Sequence, residues 1–446
     1  MEQRIDRRHF LRAAVPLSAG LAAAADLTTK PMAEVRVGFV GVGRRGSSIV
    51  RQLLRLKGCR LVAVCDIRPE SVAAMQRLAE KADQPTPAAY DRGPTDYLRL
   101  CERDDLDLIV NAVPWNLHAP VSLACLRAGK HAATETPAAQ TIDQCWQLVE
   151  ASEKVGKHCM LLENYCYARE VMCVLNMLRQ GLFGEPMHTY AGYQKEALYY
   201  YFSADGTLTF AGEGALNRMG NYYPAHFAGP PAQWLDINRG DAFDYLVSMG
   251  NYSRAYNRYA SEIFGSDNPY ARMKIEGSDI SNTLIRTKNG RSLHLIHDDR
   301  LPRPYRHLYH LMGTNGLFEN EDSRVHIHGR SPGEWTVAGK RQVARQFEPL
   351  SNYYKEFEHP LWRDLGSLAT SSGHGGSDFL CCYRVINALI TGTYPDIDVY
   401  DTVAWSAIVE LSERSARNRS QVVDFPDFTR SRWKTRKPLP ITGAKV

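Results

Sequence analysis

Six residues restrict the fold of this chain more than any others: Gly41-Val42-Gly43-Arg44-Arg45-Gly46, set directly after the apolar run 35–40 and directly before a helical stretch, Ser47 to Leu56. The first glycine permits a tight turn. The second lets the backbone approach a pyrophosphate, and the third lets helix and strand pack closely. The helix N-terminus then offers free N–H groups and partial positive charge to an anion. Asp66 stands 20 residues after Gly46, at the end of a second strand, Leu61 to Cys65. A carboxylate there accepts hydrogen bonds from ribose hydroxyls and repels a 2′-phosphate. NAD is therefore favoured as the dinucleotide, with Arg68 nearby keeping NADP open.

The alternation continues. Pro69 opens a second helix, Leu106 to Asn111 reads as a strand, and His118 to Ala128 as a helix closed by Gly129. Ala132 to Glu135 is a short strand, Asp143 to Val155 a helix closed by Gly156, and His158 to Leu162 the next strand. Strands alternating with helices of this length predict an α/β fold with a doubly wound parallel Rossmann sheet over residues 33–165. After residue 165 tyrosine, glycine and asparagine become frequent; the chain has 23 tyrosines. Ser281–Thr287 and Ser292–Asp298 alternate like strands of a half-exposed sheet. Residues 166–425 are read as a second, α+β domain with a large open, mostly antiparallel sheet over the nucleotide crevice. The basic stretch within 426–446 reads as a solvated tail.

The N-terminus carries Arg7-Arg8-His9-Phe10-Leu11, an apolar run from Ala13 to Leu21, and four alanines, 22–25. That is a signal segment of the twin-arginine type over residues 1–25, and it implies export of a folded protein to the periplasm or beyond; the plainer reading is a frayed N-terminus. Net charge is +5, and +3 without residues 1–25, which hold four arginines and two acids. The excess is too small to argue for nucleic acid. No apolar stretch after residue 30 is long enough for a membrane span. The ten cysteines show no C-x-x-C and no zinc spacing with histidine, so no metal site is expected; they read as small core residues.

At Asn111-Ala-Val-Pro-Trp115-Asn116-Leu117-His118 and Gly129-Lys-His-Ala-Ala-Thr-Glu135-Thr136-Pro137 the chain resembles the Gfo/Idh/MocA oxidoreductase superfamily. Most of its members carry a lysine where Thr136 stands, and that lysine assists proton transfer at a carbinol. Glycoside hydrolase family 109, the NAD-dependent α-N-acetylgalactosaminidases, lacks it. The chain resembles that family at 41–46, 135–139, 158–164, Gly220-Asn-Tyr-Tyr223-Pro224-Ala225-His226, 244–249 and Gly373-His-Gly-Gly376. The resemblance implies that Gly41, Gly43, Arg44, Arg45, Gly46, Asp66, Trp115, Asn116, Leu117, His118, Glu135, Thr136 and Asn164 line NAD. It implies that Tyr193, Tyr223, Pro224, Ala225, His226 and Tyr305 line a sugar. The family's Trp-Arg pair, whose arginine contacts substrate, is replaced by Phe210-Ala211, and Arg218 is the candidate substitute. The superfamily also leaves open a homo-oligomer formed through the C-terminal sheet.

The implied reaction avoids the two flanking carboxylates of ordinary glycosidases. Hydride leaves C3 of the sugar, the C3 ketone acidifies C2–H, the C1 oxygen leaves by elimination, water adds, and the hydride returns. Histidine is the residue type suited to such proton transfers, which makes His226 the candidate, with Tyr223 three residues earlier and Tyr165 after the last nucleotide strand as further candidates. Tyr-x-x-His is equally at home as a structural pair, Tyr193 and Tyr305 as stacking or core residues, and His118 as a cap of the helix it begins. A secreted sugar oxidoreductase of the same superfamily and a carbohydrate-binding protein with NAD as structural ligand are the competing expectations.

Overall fold

The computed structural model describes residues 27–444, apart from 28, 334–335, 338 and 342–345. The expected signal segment lies outside the described residues. Six parallel strands form the first sheet: β1 (Val35–Val40), β2 (Cys59–Cys65), β3 (Ala88–Tyr90), β4 (Leu108–Asn111), β5 (His131–Thr134) and β6 (Cys159–Leu161), in the order β3-β2-β1-β4-β5-β6. Helices α1 (Arg44–Leu53), α2 (Pro69–Glu80), α3 (Tyr97–Cys101), α4 (Trp115–Arg127) and α5 (Ile142–Val155) make the connections. Every residue of β4, β5 and β6 is buried, as a sheet covered on both faces requires. The strand order reverses between β1 and β4, so the crevice where such folds bind ligands opens at the end of β1. Strand β3 and helix α3 have no counterpart among the expected elements, because both are short. Helix α4 begins at Trp115, with Pro114 as its N-cap, so His118 lies inside the first turn and does not cap the helix.

The second sheet has nine strands: β7 (Pro186–Gln194), β8 (Phe243–Gly250), β9 (Ile280–Thr287), β10 (Ser292–Asp298), β11 (Arg306–Gly313), β12 (Gly316–Glu319), β13 (Arg324–Ile327), β16 (Glu348–Pro349) and β17 (Val423–Asp424); a separate hairpin joins β14 (Thr336–Val337) to β15 (Lys340–Arg341). Its order is β16-β13-β12-β11-β7-β10-β9-β8-β17, and among the described residues only β7 and β10 run parallel. One face packs on the helix Ala225–Trp234. The other is more open: Met249 and Leu284 of β8 and β9 stand out of the core.

The helix Val399–Arg417 joins the two units by packing on α5 and β8. Its N-terminus is closed by a reciprocal cap between Asp398 and Asp401. The tail read as solvated is docked instead. Phe428 is 2 % exposed, Arg430 and Arg432 bind Glu153 of α5, and Arg436 binds Asp398. Its arginines answer the half-buried Glu153 and the buried Asp398, a pairing that composition alone does not show. All ten cysteines are buried free thiols.

Candidate active site

The glycine loop has two sides. A Cβ on Gly46 would lie 1.9 Å from the Gly41 carbonyl oxygen, and one on Gly41, at φ +83°, would lie 2.8 Å from the Ala112 oxygen. Those contacts hold α1 against β1 and β4. A Cβ on Gly43 would meet only the tip of the Arg68 side chain, at 3.3 Å, so that side of the loop is open. No side chain caps the first turn of α1, and no acid stands in it. Its free amides, with Arg44 beside them, form a site for a diphosphate. The Asp66 carboxylate accepts the Val42 N–H at 2.8 Å on Oδ2 and the Arg68 N–H at 3.0 Å and Nε–H at 3.4 Å on Oδ1, fixing it at the end of β2, where Oδ2 keeps a lone pair for a ribose hydroxyl.

Further along the crevice, Asn164 Oδ1 and Thr136 Oγ1 are buried with no partner among the described residues. Orphaned polar atoms of this kind are costly unless a ligand completes them. Both lie at positions expected to line NAD, and a hydrogen-bonding group of a ligand would satisfy them. The loop, the free amides, Asp66 and these two atoms fit NAD. Arg45 is turned away from the loop: its guanidinium bridges Glu135 at 2.7 Å and Asp378 at 2.9 Å. Burial works against that charge, and the two carboxylates more than offset it. Asp378 also receives Asn164 Nδ2 at 2.8 Å, so Arg45 and Asp378 set the pose of Glu135 and Asn164. Trp115 opens α4 with Asn116 exposed and Leu117 half-buried beside it. His118 does not offer a nitrogen to a ligand. Its ring sits against the carbonyls of Pro137 at 2.7 Å and Val113 at 2.8 Å and ties the loop after β5 to that after β4.

Opposite the crevice stands a wall of tyrosines and histidines from distant segments. Glu163, fully buried after β6, receives His226 Nδ1 at 2.8 Å and caps the 3₁₀ turn Asn164–Tyr167 through the Tyr165 N–H at 3.0 Å. The carboxylate fixes Nδ1 as the protonated nitrogen and leaves Nε2 free, the arrangement of a general base. Pro224 starts the helix that carries His226. Ala225 is buried beneath it, and Tyr223 precedes the helix with its ring 5.0 Å from the imidazole. Tyr223 also stacks obliquely on Trp115, 5.5 Å away, linking wall to crevice.

Tyr193, near the end of β7, is flanked in register by His297 of β10 and His307 of β11, and its ring is 5.6 Å from His226. Tyr165 stacks on His307 at 3.9 Å, and its hydroxyl bonds that of Tyr305. The Tyr305 hydroxyl meets His307 Nε2 at 2.6 Å, while His307 Nδ1 faces the Tyr309 hydroxyl at 3.3 Å. Because the Tyr309 O–H is donated to the His226 carbonyl, His307 Nδ1 must donate and Nε2 must accept. The hydroxyls of Tyr165 and Tyr305 therefore point in line toward a neutral imidazole. Burial, and then the neighbouring His226, Lys195 and His374, hold the His307 pKa well below its ordinary value. Burial raises that of Tyr165 and of Tyr223. His374 completes the wall, 5.7 Å from the Tyr165 ring, with Nδ1 2.9 Å from Asp378. Burial raises the Asp378 pKa, but bonds from His374 and Arg45 bring it below the usual carboxylate range.

The structure thus gathers Tyr165, Tyr193, Tyr223, His226 and Tyr305, but not Arg218. The Arg218 guanidinium donates to Gln140 Oε1 at 3.2 Å and to the Gly214 carbonyl at 3.4 Å, so it does not replace the absent family arginine. Glu163, Lys195, His307 and the His374–Asp378 pair were not singled out from sequence. An available signal for His307 was its spacing two residues beyond Tyr305; for Glu163, it was an acid at a strand's carboxyl end.

A family model described as glycosyl hydrolase 109, C-terminal domain, matches residues 167–435, and one described as oxidoreductase family, NAD-binding Rossmann fold, matches residues 35–163. A glycosyl hydrolase family 109 protein from Solibacter usitatus is 40% identical over 418 residues, covering 93% of both chains. A Shewanella oneidensis protein named alpha-N-acetylgalactosaminidase is 38% identical over 467 residues, covering 99% of both. Among solved structures, myo-inositol dehydrogenase from Lactobacillus casei, in complex with NAD(H) and myo-inositol, aligns with a TM-score of 0.59 at 17% identity, covering 89% of this chain and 99% of that one, which is a likeness of fold. With an NAD-binding Rossmann domain, an open-sheet partner domain and full-length relatives of this kind, the chain belongs to glycosyl hydrolase family 109 and is an enzyme.

Proposed function

We propose that the enzyme is an NAD-dependent glycosidase that releases terminal N-acetylgalactosamine, α-linked units favoured, by oxidising the sugar at C3 for the length of one turnover. The observation that carries this reading is His226, whose Nδ1 is held by a buried carboxylate and whose Nε2 has no partner among the described residues. NAD, held by the glycine loop 41–46 and Asp66, would supply a reversible hydride acceptor for C3, so that no net oxidation results. His226 takes the C2 proton, which a C3 carbonyl makes acidic, and after exchange with solvent returns a proton to C2. Tyr165 receives the C3 hydroxyl proton as its own passes through Tyr305 to His307 Nε2. Tyr223 is the second hydroxyl beside His226, and Tyr193 lines the ring. His374, exposed and backed by Asp378, protonates the departing C1 oxygen and then takes a proton from the water that adds at C1 of the enone. The acids favour this route over paired carboxylates, since Glu163 is committed to the His226 imidazole and Glu135 and Asp378 to the Arg45 guanidinium. The arginine pair and apolar run near the N-terminus support export in folded form by the twin-arginine route.

The test is turnover of aryl N-acetylgalactosaminides, α and β, with no cofactor added. The expected result is aglycone release without growth of the reduced-nicotinamide band, and deuterium entering C2 from heavy water. Net accumulation of NADH, or full activity after the dinucleotide is stripped, overturns the proposal.

A further inference from the structure

We infer that Lys195 binds an anionic oxygen group, a sulfate ester or a carboxylate, carried by the sugar that is released or by the group attached to it. The inference rests on the proposed glycosidase reading of the site. Lys195 follows β7 two residues after Tyr193, and its ammonium lies 4.8 Å from the centre of the Tyr193 ring, in the wall that holds His226. It is also 5.2 Å from the Tyr200 ring. It is half-buried, yet among the described residues its ammonium has no hydrogen bond and no acid within ion-pair distance.

The acids around it are committed elsewhere. Glu196 pairs with Arg258 at 3.3 Å and Asp298 with Arg303. Asp299 takes the hydroxyls of Tyr201 and Tyr222 and lies 3.4 Å from His297. A second cation, Arg44, stands over the same Tyr200 ring at 4.3 Å and adds repulsion. Burial lowers the Lys195 pKa, and Asp299 opposes this from a distance.

Aromatic faces offset part of the cost of such a charge, but they leave its three N–H donors unused. A neutral hydroxyl can accept one donor without compensating the charge. An anionic oxygen does both.

The test uses the full chain with its bound dinucleotide and three aryl α-N-acetylgalactosaminides: neutral, 6-sulfated, and neutral with a carboxylate on the aglycone. At least one charged substrate should exceed the neutral one in kcat/KM by about tenfold, with the advantage shrinking in salt. The favoured arm identifies the source of the anion. Lys195→Met should bring the ratio to about one, and Lys195→Arg should keep it. Preference for the neutral substrate, or a ratio untouched by Lys195→Met, overturns the inference. Loss of dinucleotide from Lys195→Met on gel filtration also overturns it, by assigning the anion to the cofactor. If no arm is cleaved, the glycosidase reading fails, and calorimetry with the free sugars decides Lys195 separately. Tighter binding of the sulfated sugar that Lys195→Met abolishes supports an anion site; equal binding of both sugars overturns it.

Discussion

The crevice and the wall of this site are built from different materials. The crevice is mostly backbone: a glycine loop, the free amides of α1 and the ends of parallel strands, all set by the alternation of strand and helix. The wall is side chains drawn from Glu163, Tyr193, His226, His307 and His374, segments that only the second sheet and its helices bring together. Backbone sites follow local rules of turn and helix, while side-chain sites depend on long-range pairing. Changes in the wall should therefore cost chemistry and spare cofactor binding, and changes in the crevice should do the reverse.

The largest effect is expected from His226→Ala: a loss of roughly 10²–10⁴-fold in kcat, with the dinucleotide still bound by absorbance. Cofactor lost along with activity would break the division. Gly46→Ala should destabilise the fold by at least ~1–3 kcal/mol in urea melts, because the new Cβ runs into the Gly41 carbonyl rather than a pliable side chain. Glu163→Gln should lower kcat by about 10–100-fold, since the amide still fills the space but no longer fixes the imidazole.

Histidine sharpens the same contrast. His131 and His158, under the first sheet, face each other at 5.3 Å, and neither ring nitrogen of His158 has a hydrogen-bond partner among the described residues. Burial pushes their pKa values down to about 3 and about 4. Below the ordinary value near 6.5 the unfolded chain binds protons that the folded one refuses. Stability is thus complete above that pH and falls on acidification toward the folded values, by on the order of 2 kcal/mol per histidine at pH 5. Urea midpoints that stay flat from pH 7 to 5, or a fall undiminished in His131→Asn/His158→Asn, would contradict this. The smallest change in stability should come from Gly43→Ala, under about 1 kcal/mol, although its methyl occupies the diphosphate's space. An unchanged melting temperature with weakened dinucleotide retention is the expected pair of readouts.

The crevice was legible for the same reason that it is robust. Gly41, Gly46 and Asp66 announce themselves by spacing, and alternation of strand and helix does the rest. His226 and Tyr223 came to notice through the family resemblance of the stretch 220–226, since Tyr-x-x-His alone reads as well as a structural pair. Glu163 is 63 positions from the imidazole it orients, and no local pattern joins them. Arg218 was misplaced because sequence gives nearness to Tyr223 but not direction; its side chain follows Gln140. The tail was misread because the acids that hold it, Glu153 and Asp398, belong to other helices.

Tyr193 sits between its cross-strand neighbours His297 and His307, so the wall depends on the alignment of three strands. Side chains alternate along a strand, and one residue inserted into β7 would turn Tyr193 and Lys195 to the other side of the sheet. Descendants of this gene can exchange individual letters in that strand and still keep a usable pocket, but a gained or lost codon there would erase it in a single event.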